Sequence, residues 1–468
     1  MTPNDSPSLI RRAERTARKV MAKVFPGHWS FLLGELALFS FLVLVATGIY
    51  LTWFYETSME PVAYEGSHEA LEGVEVTRAY HSVLDIPFDR PAGAIIRQTH
   101  HWASLVFIAS ITLHACRVFF TGAFRRPRRL NWTIGVTLLG LAMVAGFFGL
   151  ALPHDLLGGT GARIGHSFAV SIPLVGPGVA ELLFGGPFGG EQMLHRFWLL
   201  HVIVLPLLVG GLLAAHLALV FAQSHTQFPD RRGRRTQRNV VGAAAWPGYV
   251  AKATAVGLLV AGVVLALGAL VQIAPIWLYG PFDPSAATVP AQPDWYLGWV
   301  EGALRIGPAL DVELFGREIP SPFFVGVAFP VTLFLILYLW PFLEQRLSGD
   351  RDPHHLLQRP RDHPVRTGLG VAGLTFLTLL VMAGSHDLQA LLLHVPVDSV
   401  ATAYRWALLV LPIGAGLAAR SICRSLVLSD HQHQRAPLVP RPVGSAAVSD
   451  AELTDVTEPS GPAEGRSS

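Results

Sequence analysis

Eight stretches of this chain are apolar for long enough to cross a hydrocarbon layer about 30 Å thick, which takes roughly 20 helical residues. They run over 31–53, 95–120, 132–152, 197–221, 249–274, 323–342 and 367–383, with a weaker one over 401–422. A backbone in lipid must satisfy its own hydrogen bonds, so runs of this length admit helices and little else. Composition agrees: 15% of the 468 residues are charged and 51% are hydrophobic, where soluble domains carry about 25% charge. A soluble multidomain enzyme is excluded. The expected fold class is an all-α integral membrane protein with eight transmembrane helices, and the first run is too long for a cleaved signal-peptide core.

Net charge is only +2, so placement carries more than the sum. Arg11, Arg12, Arg15, Arg18, Lys19 and Lys23 precede the first run; Arg125, Arg126, Arg128 and Arg129 lie between the second and third. Arg231, Arg232, Arg234, Arg235 and Arg238 lie between the fourth and fifth, and Arg346, Arg351, Arg359, Arg361 and Arg366 between the sixth and seventh. With eight spans every block falls on one side, which the positive-inside rule makes cytoplasmic, together with both termini. The other side carries longer, charge-poor, Pro- and Gly-rich segments of the kind that cap a site at a membrane surface. Cys116 and Cys423 form no CxxC, which excludes a disulfide framework, a zinc site and a c-type haem attachment drawn from them.

The expected organisation is a cytoplasmic segment 1–28, a four-helix unit 29–222, a basic linker 223–247, a second four-helix unit 248–425 with an extracytoplasmic loop 275–322, and a disordered cytoplasmic tail 426–468, Pro-, Ser- and Ala-rich without apolar periodicity.

His100, His101 and His114 fall in the second run, His201 and His216 in the fourth. Polar groups in lipid demand a reason. The fourteen-residue step from His100 to His114 leaves the two rings about 40° apart on one face and ~21 Å apart in depth. The fifteen-residue step from His201 to His216 leaves about 60° and ~22 Å. Both runs point the same way, so His100 pairs in depth with His201, and His114 with His216. One buried histidine is most simply a hydrogen-bonded packing residue; two matched pairs are better explained by bis-imidazole ligation of two haems b in a bundle of the first four helices. His101 lies roughly 140° off the His114 face and is left out as a ligand. Gly34 and Gly48, and Gly135 and Gly149, repeat the fourteen-residue interval in the first and third runs, offering flat patches at the same depths, although glycine is also common in ordinary close helix packing.

These residues resemble the cytochrome b subunit of quinol–cytochrome c reductase, respiratory complex III, in its actinobacterial form, over about 29–425. The histidine and glycine pairs match that family's haem ligands and haem-contact glycines. Arg97 matches its haem-propionate arginine; Ser171-Ile-Pro-Leu-Val-Gly176 resembles its surface-helix motif; Pro293-Asp-Trp-Tyr296 resembles its Pro-Glu-Trp-Tyr signature. The stretches 356–367 and His225-Thr-Gln-Phe-Pro229 look actinobacterial. By resemblance, quinol is oxidised at an outer site by Asp294 and Tyr296 near the His100/His201 haem, with Pro293 and Trp295 in the pocket. One electron crosses to the inner haem and reduces quinone at a cytoplasmic site near His225 and Lys252, so that the cycle contributes to proton-motive force. The resemblance implies menaquinone as substrate and, as partners, a Rieske iron–sulfur protein, a cytochrome c subunit, a terminal oxidase in a supercomplex and a second copy of the chain. It places the chain among membrane lipids in a bacterial cell membrane, with no nucleic acid.

The sequence departs from the family in places. The signature acid is Asp294 rather than Glu; Ala253 follows Lys252 where mitochondrial relatives have an acid; and Leu32 and Leu33 stand where chloroplast-type relatives attach an extra haem through cysteine. Read alone, Pro293 opens a surface helix with an acid in its first turn. Two other readings fit parts of the sequence. A di-haem NAD(P)H oxidase or ferric reductase also strings haems on paired histidines but needs a flavin domain, for which no GxGxxG is present. A proton-coupled transporter would use the histidines as a relay without haem.

Overall fold

The structure is a computed structural model, and it describes residues 9–230, 233–286, 292–314 and 316–435. Among these, eight helices are long and apolar enough to cross a membrane: Trp29–Thr52, Gly93–Phe120, Arg129–Ala151, Gln192–Gln223, Ala245–Leu270, Ser321–Ser348, Pro364–Ala383 and Val397–Asp430. Each covers one of the eight expected runs. Arg231 and Arg232 of the linker and residues 436–468 of the expected tail lie outside the described residues. The start of that tail is helical, because the last helix continues to Arg435. Likewise the segment before the first span forms a helix, Leu9–Met21.

The connecting segments sort to two ends, as alternating spans require. At one end meet the segment before the first span and the loops after the second, fourth and sixth. Val24–Phe25 pairs antiparallel with Ala243–Ala244, Gln227 bridges to Leu356, and Gln358 N–H donates to Thr121 O at 3.0 Å. Arginines of the loop 121–128 fasten this end. Arg128 donates to the carbonyls of His354, Gln223 and Ser224, and Arg125 to those of Gly122 and Leu356. These charges therefore satisfy backbone acceptors at helix and loop ends as well as marking a side.

At the other end meet the segments after the first, third and fifth spans. A hairpin of Pro61–Ala63 and Glu75–Thr77 leads into the surface helix Arg78–Asp89. Tyr80 of that helix donates to Ile276 O, and Tyr55 to Leu152 O. Asp155 bridges to Pro281 and caps the surface helix Leu156–Val170.

Three spans contain a π-helical turn: Leu199–Val204 in the fourth, Ala245–Tyr249 at the start of the fifth and Phe324–Ala328 in the sixth. A proline sits in or just beyond each: Pro206, Pro247 and Pro330. Proline has no N–H and its ring crowds the carbonyl four residues back, and one wider turn relieves that clash.

Candidate functional site

The second span carries His100 and His114, and the fourth carries His201 and His216. The His100 and His201 rings have centroids 6.2 Å apart, and those of His114 and His216 are 6.4 Å apart. The depth pairing expected from helical arithmetic is the pairing found. A metal bound at about 2.0 Å by a ring nitrogen lies about 3 Å from that ring's centre, so two axial imidazoles on one metal have centres about 6 Å apart. Both pairs meet that spacing. In the outer pair, His100 Nδ1 lies 2.9 Å from Thr47 Oγ1, whose own proton goes to Val43 O, so the imidazole donates. His201 Nδ1 donates to Ala145 O at 2.8 Å. Each bond fixes the tautomer that leaves Nε2 with a lone pair for a metal. His114 Nδ1 and His216 Nδ1 are buried without a hydrogen-bond partner at normal distance.

Each glycine lies against an imidazole. A Cβ on Gly48 would stand 3.3 Å from His100 Cε1, one on Gly34 3.4 Å from His114 Cε1, and one on Gly135 3.6 Å from His216 Cε1. A Cβ on Gly149 would collide with His201. The glycines thus admit the ring edges of the histidines, which is a more specific role than a flat patch. The residues present fit two bis-imidazole haems: paired rings at the right spacing, tautomers set in one pair, and neighbouring helices cut back to admit them.

A cavity of about 330 Å³ adjoins the outer pair and is lined among others by Arg97, His100, His201, Asp155, Asp294 and Tyr296. That volume is within the range of small-molecule sites. Arg97 donates to Ala274 O at 3.3 Å. Asp294 precedes rather than opens the nearest helix, which begins at Gly298 and has no side-chain cap. Its carboxylate instead accepts from His101 Nε2 at 2.9 and 3.0 Å and from the Tyr296 hydroxyl at 3.1 Å. Tyr296 is fully buried against Gly146 of the third span, and burial, then the Asp294 charge, hold its phenol well above the usual range, so it stays a donor. Trp295 is exposed, and neither it nor Pro293 lines the cavity.

His101 is the functional neighbour that sequence reasoning set aside. The same turn that keeps it off the haem face aims it at Asp294, 193 residues away, and no local pattern announces that contact. At the other end, His225 packs on Phe25 at 4.5 Å, and Phe25 stacks on Tyr249 at 3.9 Å. Burial pushes the His225 ring down to about 4. Tyr249 faces Glu35, which is also within Coulombic reach of the exposed Lys252. Glu35, whose Oε2 is buried without a partner, is an acid on the first span, where Ala253 leaves none on the fifth.

The chain matches the family model described as cytochrome b (N-terminal)/b6/petB over residues 105–281. It is 44% identical over 415 residues to the cytochrome bc1 complex cytochrome b subunit of Corynebacterium diphtheriae, covering 89% of this chain and 76% of the relative. The subunits of the same description from Mycobacterium tuberculosis and Streptomyces coelicolor are each 44% identical, with 88% and 76% covered. Among solved structures, a chain of a hyperthermophilic respiratory Complex III superposes with a TM-score of 0.62 at 21% identity, covering 89% of this chain and 97% of that one.

Proposed function

The chain belongs to the cytochrome b family of bc1 complexes, and from that premise we propose how its residues divide the work. As a member it is a membrane-spanning, haem b-binding subunit of a quinol–cytochrome c oxidoreductase, catalytic within a multisubunit complex and serving the respiratory chain through the Q cycle. The reductase and transporter readings fall with that membership.

In this proposal His100 and His201 hold an outer haem b, and His114 and His216 an inner one, within residues 29–222. The observation that carries it is the pair of ring separations, 6.2 and 6.4 Å, at two depths on two parallel spans. Gly34, Gly48, Gly135 and Gly149 give the rings room, and Arg97 offers its charge to a propionate. When bound, the two haems supply a one-electron path between the depths. Asp294 takes a proton from quinol in the outer cavity, with His101 and Tyr296 holding its carboxylate from two directions so that an oxygen stays aimed at the substrate. His225 and Lys252 border the inner quinone site, joined there by Glu35.

The arginine-rich end is cytoplasmic, with both termini, and the outer cavity faces away from the cytoplasm across a bacterial cell membrane. The linker 223–247 joins the haem unit to residues 248–425, whose loop 275–322 closes the quinol cavity. The sequence has no Cys-His motif for an iron–sulfur cluster or haem c, so a Rieske protein and a cytochrome c subunit supply them. Menaquinone, a second copy of the chain and a terminal oxidase complete the actinobacterial picture.

The test is optical. His216→Leu in the assembled complex should remove inner-haem absorbance from the reduced-minus-oxidised spectrum and leave the outer-haem bands. If single replacements at all four histidines keep both sets of bands, the ligand assignment is wrong.

A further inference from the structure

The cavity that holds Asp294 holds a second carboxyl group, Asp155. It lies just beyond the third span, 3% exposed, and caps the helix Leu156–Val170 by accepting the Gly158 N–H on Oδ1 at 2.9 Å. An N-cap needs only a small acceptor, and Asn or Ser serves as well as Asp. Capping therefore does not account for a carboxyl buried against a cavity of ligand size, where an ionised group without strong pairing is costly.

The groups facing Asp155 come from four elements. Arg97 reaches it from the second span, Tyr80 from the surface helix Arg78–Asp89, and Tyr279 from the short helix Ile276–Tyr279. His154 precedes it in the loop, buried beside Phe282. Tyr279 lies within Coulombic reach of both Asp155 and Asp294, which ties the two carboxyls to one region of the cavity. Burial pushes the Asp155 carboxyl up to about 6, although the Gly158 N–H and the Arg97 charge pull the other way. Burial also keeps His154 neutral, down to about 4. Asp155 is thus the neighbour that changes charge just below neutral pH.

We propose that Asp155 is a second proton acceptor of the outer cavity, taking one of the two hydroxyl protons of a quinol whose other proton goes to Asp294. The quinol O–H bond breaks heterolytically: the proton forms an O–H bond on Asp155 Oδ2, and the bonding pair stays on the quinol oxygen. The two electrons then leave singly to the acceptors of the bc1 reaction, giving quinone. The inference rests on reading this cavity as the quinol site.

The test uses the assembled complex in membranes. Asp155→Asn and Asp155→Ser keep a capping acceptor and remove the proton acceptor; Asp155→Glu keeps the carboxyl. Wild-type quinol oxidation should fall as pH drops through about 6, because protonation removes the acceptor. Asn and Ser should lower kcat at neutral pH at least about tenfold with KM within about twofold and abolish that acid limb, while Glu retains it. Haem bands should be unchanged. Wild-type kcat and pH profile in the Asn variant, or loss of haem bands in both Asn and Ser variants, overturns the proposal by leaving Asp155 a structural cap. Asp294→Asn in parallel separates the two readings. If it alone slows oxidation, Asp155 has no proton role; if it is silent while the Asp155 variants slow, the Asp294 assignment fails and Asp155 stands.

Discussion

Four glycines decide how closely the imidazole rings can be held, and they are not equal. At Gly149 an added methyl would meet the His201 ring well inside contact distance, whereas at Gly135 it would stand at an ordinary 3.6 Å from His216. A ring pinned to Ala145 O cannot retreat without breaking that bond. Gly149→Ala should therefore lose most of the outer-haem absorbance, and Gly135→Ala should keep the inner. A spectrum of each variant checks this, and equal behaviour of the two would show that clearance does not matter. The histidine pairs are legible in the sequence because helical periodicity converts spacing into a shared face and a depth. His101 and Asp155 are not. The first depends on a partner brought in by a distant loop, and the second carries, in Asp155 followed three residues later by Gly158, the look of an ordinary helix cap.

At the level of one helix, the fifteen-residue step from His201 to His216 has a structural explanation. The π turn at Leu199–Val204 absorbs one extra residue per turn, so fifteen residues cover the turns that fourteen cover in a regular helix. The 60° offset expected for an unbroken α-helix is thereby reduced, and the two pairs end with nearly equal separations. Pro206 gives the cause, but proline in a sequence does not say whether a helix kinks, bulges or stops, so the run was readable and the turn was not. Deleting Val202 should let the segment relax to α-helix and leave both haems bound. Deleting Leu213, in the regular part of the same span, should rotate His216 by about 100° and lose the inner haem. Haem content of the two deletions tells them apart; similar losses would mean the π turn has no such role.

Across the whole molecule, the number of spans and the sorting of loops follow from hydropathy and charge alone, because lipid leaves a chain few alternatives. How the loops fasten to one another was hidden, since Arg128 and Arg125 are spent on carbonyls more than 90 residues away in sequence, as well as nearer ones. Sidedness has a direct check in a background lacking Cys116 and Cys423. Ser285→Cys should react with an impermeant thiol reagent on intact cells, and Ser348→Cys only after permeabilisation; the reverse pattern inverts the molecule. The two histidine pairs also fix a quantity of electrical work. Their separation, ~21 Å by helical rise, is about two-thirds of a 30 Å hydrocarbon core. An electron moved between them crosses that share of the membrane field, about 1.6 kcal/mol for every 100 mV. The spacing of histidines along two helices is thus also a voltmeter scale, setting how strongly the charge on the membrane pushes back on each electron that crosses.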